Sequence, residues 1–331
     1  MKIGSFDLDK QVLVVAEIGN NHEGNFKTAQ ELVRQAARAG VGAVKFQTFK
    51  AENFVSPQEE ARVRQLKGFE LKPEEFSQLA QLAHSLGLQF ISTPLDLPSA
   101  RFLEGIVDAF KIASGDNNFY ALIEQVAQTS KPLIVSLGLS EFTEVEKTVN
   151  FIRSLNGNLA VLHCVTSYPV APEEAHLRAI TFLAERLKNV TVGYSDHTLG
   201  LEASVLAVGL GARIIEKHFT LDKNQSNFRD HQLSLEPAEM AELVKRIRLA
   251  ETLLGRKEKL VQASEKPFQQ VARRSIAAGV PLPKGHRIQS SDLTWLRPGV
   301  GLAPGEEKKL VGRVLRRNVS FGELLREADV E

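Results

Sequence analysis

The chain has little cysteine, little net charge and no long apolar run, and each of these features excludes a class of protein. Its 331 residues include a single cysteine, Cys164, which excludes an internal disulfide and a multi-cysteine metal cluster. The 41 lysines and arginines nearly balance the 40 aspartates and glutamates, so the formal charge is +1. This balance gives no electrostatic reason to expect nucleic acid or a membrane as a partner.

Long apolar segments are also missing. No window approaches the roughly 18 consecutive apolar residues of a transmembrane helix. The N-terminal stretch 1–7 has neither an apolar core nor a small-residue cleavage site, so we expect no secretory signal and a cytoplasmic protein. The length accommodates a core domain of about 250 residues and a smaller module.

Apolar runs rich in β-branched residues alternate with stretches of helical periodicity, which predicts βαβ units and a parallel sheet. The runs that we interpret as strands are 12–18, 43–47, 88–93, 109–114, 133–136, 159–164, 190–194 and 213–219. The stretches that we interpret as helices are 28–39, 73–86, 99–104, 120–129, 143–155, 177–187, 202–210 and 237–253. Eight strand–helix pairs predict a (β/α)8 TIM barrel. The alternative, a doubly wound open sheet, usually carries a glycine-rich dinucleotide loop that is absent here.

The pattern changes after Leu254, where a polar, charge-rich stretch begins. We therefore place a barrel domain in residues 1–255, a linker in 256–272 and a second domain in 273–331. Short segments and frequent glycines and prolines predict a small, loop-rich second domain. It has 11 basic and 7 acidic residues, an excess of +4. This excess indicates either a solvated face or a lid that meets an anionic ligand.

Polar side chains lie at the end of every predicted strand, or just after it. Because the active site of a TIM barrel lies at the carboxyl ends of its strands, a shared site explains this pattern better than separate structural roles do. The residues are Glu17, Lys45, Gln47, Thr93, Lys111, Ser114, Ser136, Tyr168, Ser195, His197, Glu216 and His218.

Lys45 and Lys111 stand inside apolar strands. A lone buried ammonium is costly, so such a lysine extends its charged end to solvent, pairs with a carboxylate such as Glu17 or Glu216, or binds an anion. Two of them on separate strands, beside several hydroxyls, favour a site for a small molecule with phosphate and carboxylate groups.

His197 and His218 end the seventh and eighth predicted strands, which would be neighbours in a barrel. Two neutral imidazoles at that place can bind a divalent metal and leave positions for water and substrate. The alternative is one acid–base histidine and one histidine of the core. His163 is interpreted as a residue of the barrel wall whose ring is hydrogen-bonded within the protein.

The motifs at these positions resemble the sialic acid synthase family, which includes N-acetylneuraminate, legionaminate and pseudaminate synthases. They are AEIGNNHEG at 16–24, VKFQ at 44–47, ISTP at 91–94, KIASG at 111–115, YP at 168–169, SDHT at 195–198 and EKHF at 216–219. Residues 273–275 and 296–299 resemble the family's antifreeze-like (SAF) domain. The resemblance covers nearly the whole chain, in order.

The resemblance implies a TIM barrel followed by a small, β-rich SAF domain that is exchanged within a homodimer. It implies that phosphoenolpyruvate condenses with an N-acylated hexosamine and water to give a nine-carbon 2-keto sugar acid and phosphate. It also implies a divalent metal on His197 and His218, with Mn²⁺ expected ahead of Mg²⁺ or Co²⁺. The implied phosphoenolpyruvate ligands are Lys45, Thr93, Lys111, Ser114, Ser136 and Ser195. The implied contacts of the amino sugar are Glu17, Gln47, Tyr168, Asp230 and Arg297 of the partner subunit.

Three carboxylates are therefore candidate catalytic residues: Glu17, Glu216 and Asp230. The sequence does not decide whether Glu17 or Glu216 handles the proton. Thr166 stands where the family often has asparagine, and it is kept as a substrate-binding candidate. In the family that this chain resembles, the loop after the eighth strand often reads Gly-Pro-Asp-His. Here it reads Asn-Phe-Arg-Asp-His at 227–231. Its Arg229 either favours an acidic or phosphorylated acceptor or points to solvent.

Two other functions remain open at this point. One is another phosphoenolpyruvate-condensing barrel, which makes a 3-deoxy keto acid of seven or eight carbons; the C-terminal module argues against it. The other is a catalytically silent carbohydrate-binding protein, which would need neither two buried lysines nor a histidine pair. In each case we expect small-molecule ligands and neither nucleic acid nor a membrane.

Overall fold

The structure is a computed structural model that describes every residue from Met1 to Glu331. The chain forms two compact units, Met1–Gly255 and Arg256–Glu331, which are described separately. The first unit contains a closed barrel of eight parallel strands surrounded by helices. The predicted (β/α)8 TIM barrel is confirmed.

The first unit contains ten strands. They are β1 (Lys2–Ile3), β2 (Phe6–Asp7), β3 (Leu13–Gly19), β4 (Ala43–Thr48), β5 (Gln89–Pro94), β6 (Ala109–Ile112), β7 (Leu133–Ser136), β8 (Leu159–Cys164), β9 (Thr191–Asp196) and β10 (Ile214–His218). Strands β3 to β10 pair in chain order, and β10 pairs with β3 to close the barrel. The predicted run 109–114 ends early as a strand, because Ser114 begins a short 3₁₀ turn.

The helices of the first unit lie between and after the barrel strands. They are α1 (Phe26–Arg38), α2 (Ala51–Phe54), α3 (Glu60–Phe69), α4 (Pro73–Ser85), α5 (Leu97–Leu103), α6 (Tyr120–Ala127), α7 (Phe142–Leu155), α8 (Arg178–Arg186), α9 (Glu202–Gly209), α10 (Arg229–Leu233) and α11 (Pro237–Leu254). None of the helices in the chain combines the length and the apolar composition needed to cross a membrane.

The barrel interior changes from apolar to polar along the strands. Its apolar layer consists of Leu13, Val15, Ala43, Ile91, Ala109, Ile134, Ala160, Leu162 and Ile214. Ile3 and Leu8, from the antiparallel β1–β2 hairpin, join this layer and close the amino end of the barrel. Since strand side chains repeat every second residue, the next inward positions are those at which the sequence places its polar residues.

Local capping decides where the outer helices begin. Asn25 accepts a hydrogen bond from the backbone of Thr28, so α1 starts at Phe26, two residues before the predicted start. Helix α7 begins at Phe142, one residue before the predicted start, after Glu141, whose capping box uses Glu144. Both helices then bury an apolar face against the barrel, and each buried valine or leucine stabilises the fold by about 1.5–3 kcal/mol.

Three short helices were not predicted: α2 and α3 between β4 and α4, and α10 after β10. Their periodicity is weak because few apolar side chains are buried; α3 buries only Leu66. They follow the carboxyl ends of β4 and β10, so they lie at the end of the barrel where the active site was expected.

The second unit contains helix α12 (Gln269–Ala272) and strands β11 (Ser275–Ala278) and β12 (Leu293–Leu296), which pair antiparallel. Its core includes Ile276, Leu282, Ile288, Leu293, Leu310, Leu315, Val319, Leu325 and Val330. Helix α12 lies within the predicted linker. The backbone N–H of Gly299 donates to the carbonyl of Gln270 at 2.7 Å, so the end of this segment is attached to the second unit.

Candidate active site

A polar cavity of about 140 Å³ lies at the carboxyl ends of the barrel strands. Among the residues selected from the sequence, its lining contains Glu17, Lys45, Gln47, Lys111, Ser114, Ser136, Thr166, Tyr168, Ser195, His197, Glu216, His218 and Asp230. Thr93 lies behind this lining, with its Oγ1 3.5 Å from Lys45 Nζ. Arg297 belongs to the second unit, so its contact with an amino sugar stays a prediction.

The two lysines meet two carboxylates inside the cavity. Lys45 Nζ lies 3.2 Å from Glu17 Oε2 and 3.3 Å from Glu216 Oε2, and Lys111 Nζ lies 3.6 Å from Glu216 Oε1. All four side chains are buried. The carboxylate pairing considered for the lysines is therefore present. An anionic ligand would bind more favourably when one of the carboxyl groups is protonated, since the cluster then has a net positive charge.

The two carboxyl groups have pKa values displaced in opposite directions. Burial raises the pKa of Glu17; Lys45 opposes this and Glu216 adds to it, and the result is about 7. Burial would also raise the pKa of Glu216, but Lys111, Lys45 and the Ser195 hydroxyl outweigh it and lower the pKa to about 2. Glu17 can therefore exchange a proton near neutral pH, while Glu216 remains ionised.

The lysines also differ. Burial lowers the pKa of Lys111 to about 8, although Glu216 opposes this effect. Burial acts on Lys45 in the same way, but Glu17 and Glu216 together reverse it and raise its pKa. Lys45 is thus a fixed positive charge, whereas Lys111 has the less compensated ammonium and gains more from an anionic ligand.

Two hydroxyl groups without hydrogen-bond partners line the same cavity as Lys111. Ser136 Oγ and Thr166 Oγ1 are buried and form no hydrogen bond within the chain. Ser114 Oγ accepts from the backbone N–H of Gly138 at 3.1 Å. A Cβ atom at Gly138 would lie 2.3 Å from Thr166 Oγ1, so glycine is needed there to keep the hydroxyls in place. Buried hydroxyls are normally hydrogen-bonded, and these two can donate to the oxygens of a ligand.

His197 and His218 are brought together as the sequence predicted. Their ring centroids are 5.3 Å apart. His218 Nδ1 is buried without a hydrogen-bond partner, and burial together with His197 lowers the pKa of His218 well below its usual range. Burial would lower the pKa of His197 as well, but contacts of its Nδ1 with Cys164 Sγ and the Val165 carbonyl reverse this and raise it.

The two rings are close enough to hold one metal ion, and His218 is the member of the pair whose imidazole is neutral. A neutral imidazole with an unpartnered buried nitrogen is a suitable ligand. No group of three histidine, cysteine, aspartate or glutamate side chains is arranged to hold an ion. His197 and His218 would therefore be the protein ligands, and the other positions would belong to water and substrate.

Aromatic and polar groups form the side of the cavity near β3 and β10. The Arg229 guanidinium lies 4.6 Å from the centre of the Tyr168 ring, and its Nε lies 3.3 Å from Asp230 Oδ1. Asn20 Nδ2 donates to Gln47 Oε1 at 2.8 Å. Arg229 therefore lies over the cavity rather than away from it, although its side chain is 66% exposed.

The lining also contains three residues with functional side chains that the sequence analysis did not consider as site residues: Asn20, Arg62 and Cys164. Asn20 follows β3 directly and Cys164 ends β8. Both therefore fit the pattern of polar residues at strand ends, provided that this pattern includes thiols and the first residue after a strand. Arg62 lies on α3, whose weak apolar pattern gave no signal.

Comparison with known proteins places both parts of the chain in known families. Residues 32–259 match the NeuB family and residues 273–331 match the SAF domain. The N,N'-diacetyllegionaminic acid synthase of Legionella pneumophila is 40% identical over 94% of this chain and 92% of that protein. The human N-acetylneuraminate-9-phosphate synthase is 30% identical over 96% of this chain and 92% of that protein.

A solved structure has the same fold. The N-acetylneuraminic acid synthetase of Leptospira borgpetersenii superposes with a TM-score of 0.76 at 33% identity, over 81% of this chain and 94% of that one.

Proposed function

The chain belongs to the NeuB family, and from this premise we propose that it condenses phosphoenolpyruvate with an N-acylated hexosamine, resembling N-acetylmannosamine, and water. The products are a nine-carbon 2-keto sugar acid of the sialic acid type and inorganic phosphate. One observation carries the proposal. A single buried cavity combines two lysines, unpartnered hydroxyls and two carboxyl groups with opposite pKa shifts. The names of the relatives, which are synthases of such acids, support the same reaction.

The proposed condensation forms one carbon–carbon bond and releases phosphate by breaking a carbon–oxygen bond. The C3 carbon of phosphoenolpyruvate attacks the aldehyde carbon of the open-chain sugar, and a carbon–carbon bond forms. The aldehyde oxygen takes up a proton and becomes a hydroxyl. Water adds to the cationic C2 carbon and loses a proton. The bond between C2 and the phosphate oxygen then breaks as the new C2 hydroxyl passes its proton to the departing phosphate, which leaves a ketone and inorganic phosphate.

The phosphoenolpyruvate end is assigned to the side of the cavity with Lys111, Ser114, Ser136 and Thr166. The ammonium neutralises the ligand, and the hydroxyls that lack partners donate to its oxygens. Lys45, Thr93 and Ser195 complete this end, as the family resemblance implies. Fixing both reactants in one buried space supplies much of the rate acceleration by positioning.

Glu17 is assigned the proton transfer. With a pKa of about 7, it can protonate the developing alkoxide and then accept a proton from water. Glu216 stays ionised and balances the charge of the two lysines. Asp230 and Gln47 orient the sugar.

His197 and His218 would hold a divalent metal ion, with Mn²⁺ as the first choice and Mg²⁺ or Co²⁺ as alternatives. When bound, such an ion supplies a positive charge that polarises the aldehyde carbonyl. His218 is neutral and has a free buried nitrogen, so it is prepared to act as a ligand.

We also propose that the protein acts in the cytoplasm as a homodimer with exchanged SAF domains. Arg297 of the partner subunit then contacts the amino sugar, as the family resemblance implies. The basic excess of residues 273–331 supports a domain that meets an anionic ligand.

The deciding experiment is phosphate release from phosphoenolpyruvate in the presence of Mn²⁺ and a panel of acceptors. The panel contains N-acetylmannosamine, its 6-phosphate, a diacetamido-trideoxyhexose, mannose and arabinose 5-phosphate. Release with one amino hexose, and a nine-carbon keto acid by mass spectrometry, is the expected result. Release only with arabinose 5-phosphate would identify an eight-carbon synthase instead. No release with any acceptor would contradict the proposal.

A further inference from the structure

The turn that follows β3 is bound to the loop that follows β10. Glu23, in this turn, has its Oε1 2.9 Å from His231 Nε2 and also accepts a hydrogen bond from the Ser226 hydroxyl. Asn21, two residues earlier, donates to the Ser234 hydroxyl at 3.0 Å and to the Phe219 carbonyl at 2.8 Å. We call residues 219–234 the β10 loop. Of the residues in this turn that contact the β10 loop, only Glu23 brings a negative charge to it.

The β10 loop places three side chains in the cavity: Phe228, Arg229 and Asp230. The backbone N–H of Phe228 donates to Ser226 Oγ at 3.0 Å, so the Ser226 hydroxyl joins this backbone to Glu23. His231 follows Asp230 directly and is fully buried. Its Nδ1 lies 2.7 Å from Thr220 Oγ1. The Glu23 carboxylate therefore holds the cavity-lining segment on both sides, at Ser226 and at His231.

Glu23 is itself held in an unfavourable backbone conformation. Its φ angle is +46°, in the left-handed region that costs a non-glycine residue about 1–2 kcal/mol. The next residue, Gly24, approaches α3 so closely that a Cβ atom would lie 2.0 Å from the Gly68 carbonyl oxygen. A glycine at position 23 would remove the backbone cost, so a glutamate there indicates a role for its side chain.

Glu23 does not line the cavity. From these contacts we infer that Glu23 is a positioning residue that determines the choice of acceptor sugar, because its carboxylate fixes the β10 loop against the turn after β3. The inference rests on the proposed function for the identity of the two substrates.

The other substrate would be unaffected. None of the residues assigned to phosphoenolpyruvate belongs to the β10 loop, since Lys45, Lys111, Ser136 and Ser195 lie on β4, β6, β7 and β9. A looser β10 loop thus leaves the phosphoenolpyruvate end intact.

The test compares Glu23→Ala and Glu23→Gln with the wild type. We measure kcat/KM for two acceptors that differ only at one end, N-acetylmannosamine and its 6-phosphate, and the affinity for phosphoenolpyruvate by calorimetry. The matched control is Glu52→Ala on α2, whose carboxylate pairs only with the exposed Lys67. We expect Glu23→Ala to reduce the ratio of kcat/KM between the two acceptors about tenfold. A change of this size is what the loss of one or two charge-assisted hydrogen bonds would cause. Affinity for phosphoenolpyruvate should stay within about twofold.

Glu23→Gln should give an intermediate change, because an amide oxygen still accepts hydrogen bonds without the charge. The control should match the wild type. An equal loss of kcat/KM for both acceptors in Glu23→Ala, at an unchanged ratio, would reduce Glu23 to a general structural role and overturn the inference.

A second measurement separates this inference from the proposed function. Amide hydrogen exchange of residues 222–231 should be at least about tenfold faster in Glu23→Ala than in the wild type, with the barrel strands unchanged. If the wild type releases no phosphate with any of the acceptors, the proposed function fails. The exchange rates alone then decide whether Glu23 holds the β10 loop. Unchanged exchange in that segment would overturn the inference whether or not the protein is active.

Discussion

Lys217 Nζ lies 3.0 Å from Asp196 Oδ2, and neither side chain is exposed to solvent. Asp196 stands between Ser195 and His197, and Lys217 stands between Glu216 and His218. Because side chains alternate along a strand, this ion pair lies outside the barrel while its four sequence neighbours face the cavity. The pair joins the ends of β9 and β10 and so fixes both histidines relative to each other.

The first prediction concerns this ion pair. Lys217→Met leaves the Asp196 carboxylate buried without its counter-charge, and we expect a loss of about 3–5 kcal/mol in unfolding free energy. Lys223→Met, which removes a partly exposed pair with Glu239, should cost about 1 kcal/mol or less. Urea unfolding followed by circular dichroism measures both. Equal midpoints for the two variants would show that the buried pair does not hold the strand ends.

The second prediction concerns the protonation of Glu17. Its pKa in the folded state, about 7, exceeds the usual value of 4.5, so between these values the native state binds a proton that the unfolded state has released. The stability of the wild type should therefore fall as the pH rises from 5 to 8. Glutamine imitates the protonated carboxyl group, so Glu17→Gln should lack this fall. Thermal unfolding across the pH range checks it.

Glu239→Gln is the control for that series. Glu239 lies on α11 and does not line the cavity. Burial would raise its pKa, but hydrogen bonds from Lys223 and the Glu236 backbone outweigh this and lower it, so Glu239 is ionised in both states between pH 5 and 8 and contributes no slope there. Activity gives a second readout, because Glu17→Gln should lower kcat by about 10²–10⁴ if Glu17 transfers the proton. A Glu17→Gln variant with the wild-type pH profile would remove Glu17 from this role.

The third prediction concerns phosphoenolpyruvate. Lys111→Met keeps the approximate volume of the side chain but removes the ammonium group that shares the cavity with the unpartnered Ser136 hydroxyl. Affinity for phosphoenolpyruvate should fall about 100-fold or more, as expected when a buried charge-assisted contact is removed, while the protein remains folded. Calorimetry measures the affinity, and Lys147→Met, at an exposed position of α7, is the control. Wild-type affinity in Lys111→Met would contradict the assignment.

The barrel could be predicted from the sequence because its signals are local and repeated. In each barrel strand the inward-facing side chains change from apolar to polar toward the carboxyl end, as from Val15 to Glu17 in β3. The register of the barrel then brings these ends together: Glu17 pairs with Lys45 and with His218. Residues on separate strands thus reach one cavity without any long-range information in the sequence.

The parts that could not be predicted depend on tertiary contacts. Helix α3 is held through Leu66 and the approach of Gly68 to Gly24, so nothing in its own pattern predicted that Arg62 would line the cavity. The opposite pKa shifts of Glu17 and Glu216 depend on which lysine lies nearer to which carboxylate. The distances between these lysines and carboxylates are set by the barrel register and by the Ser195 hydroxyl, which lies 2.8 Å from Glu216.

The fourth prediction concerns the proposed exchange of SAF domains between two subunits. Arg297→Ala and His218→Ala should each be inactive as pure proteins. A mixed dimer contains one barrel with intact histidines that can meet an intact Arg297 from the other subunit. Random mixing should therefore restore about a quarter of the wild-type activity. Inactive hybrids that contain both subunits would contradict the exchange.

The last prediction concerns the metal. His218 offers a neutral, buried nitrogen without a partner, so Mn²⁺ should raise the melting temperature of the wild type by binding the native state only. His218→Ala should abolish this shift, and His197→Ala should do the same. His163→Ala is the matched control, because His163 bonds the Ala175 carbonyl at 2.9 Å and acts as the wall residue predicted from the sequence. A Mn²⁺ shift that survives in His218→Ala would mean that the ion binds elsewhere, and the aldehyde would then have to be activated by Glu17 and the lysines alone.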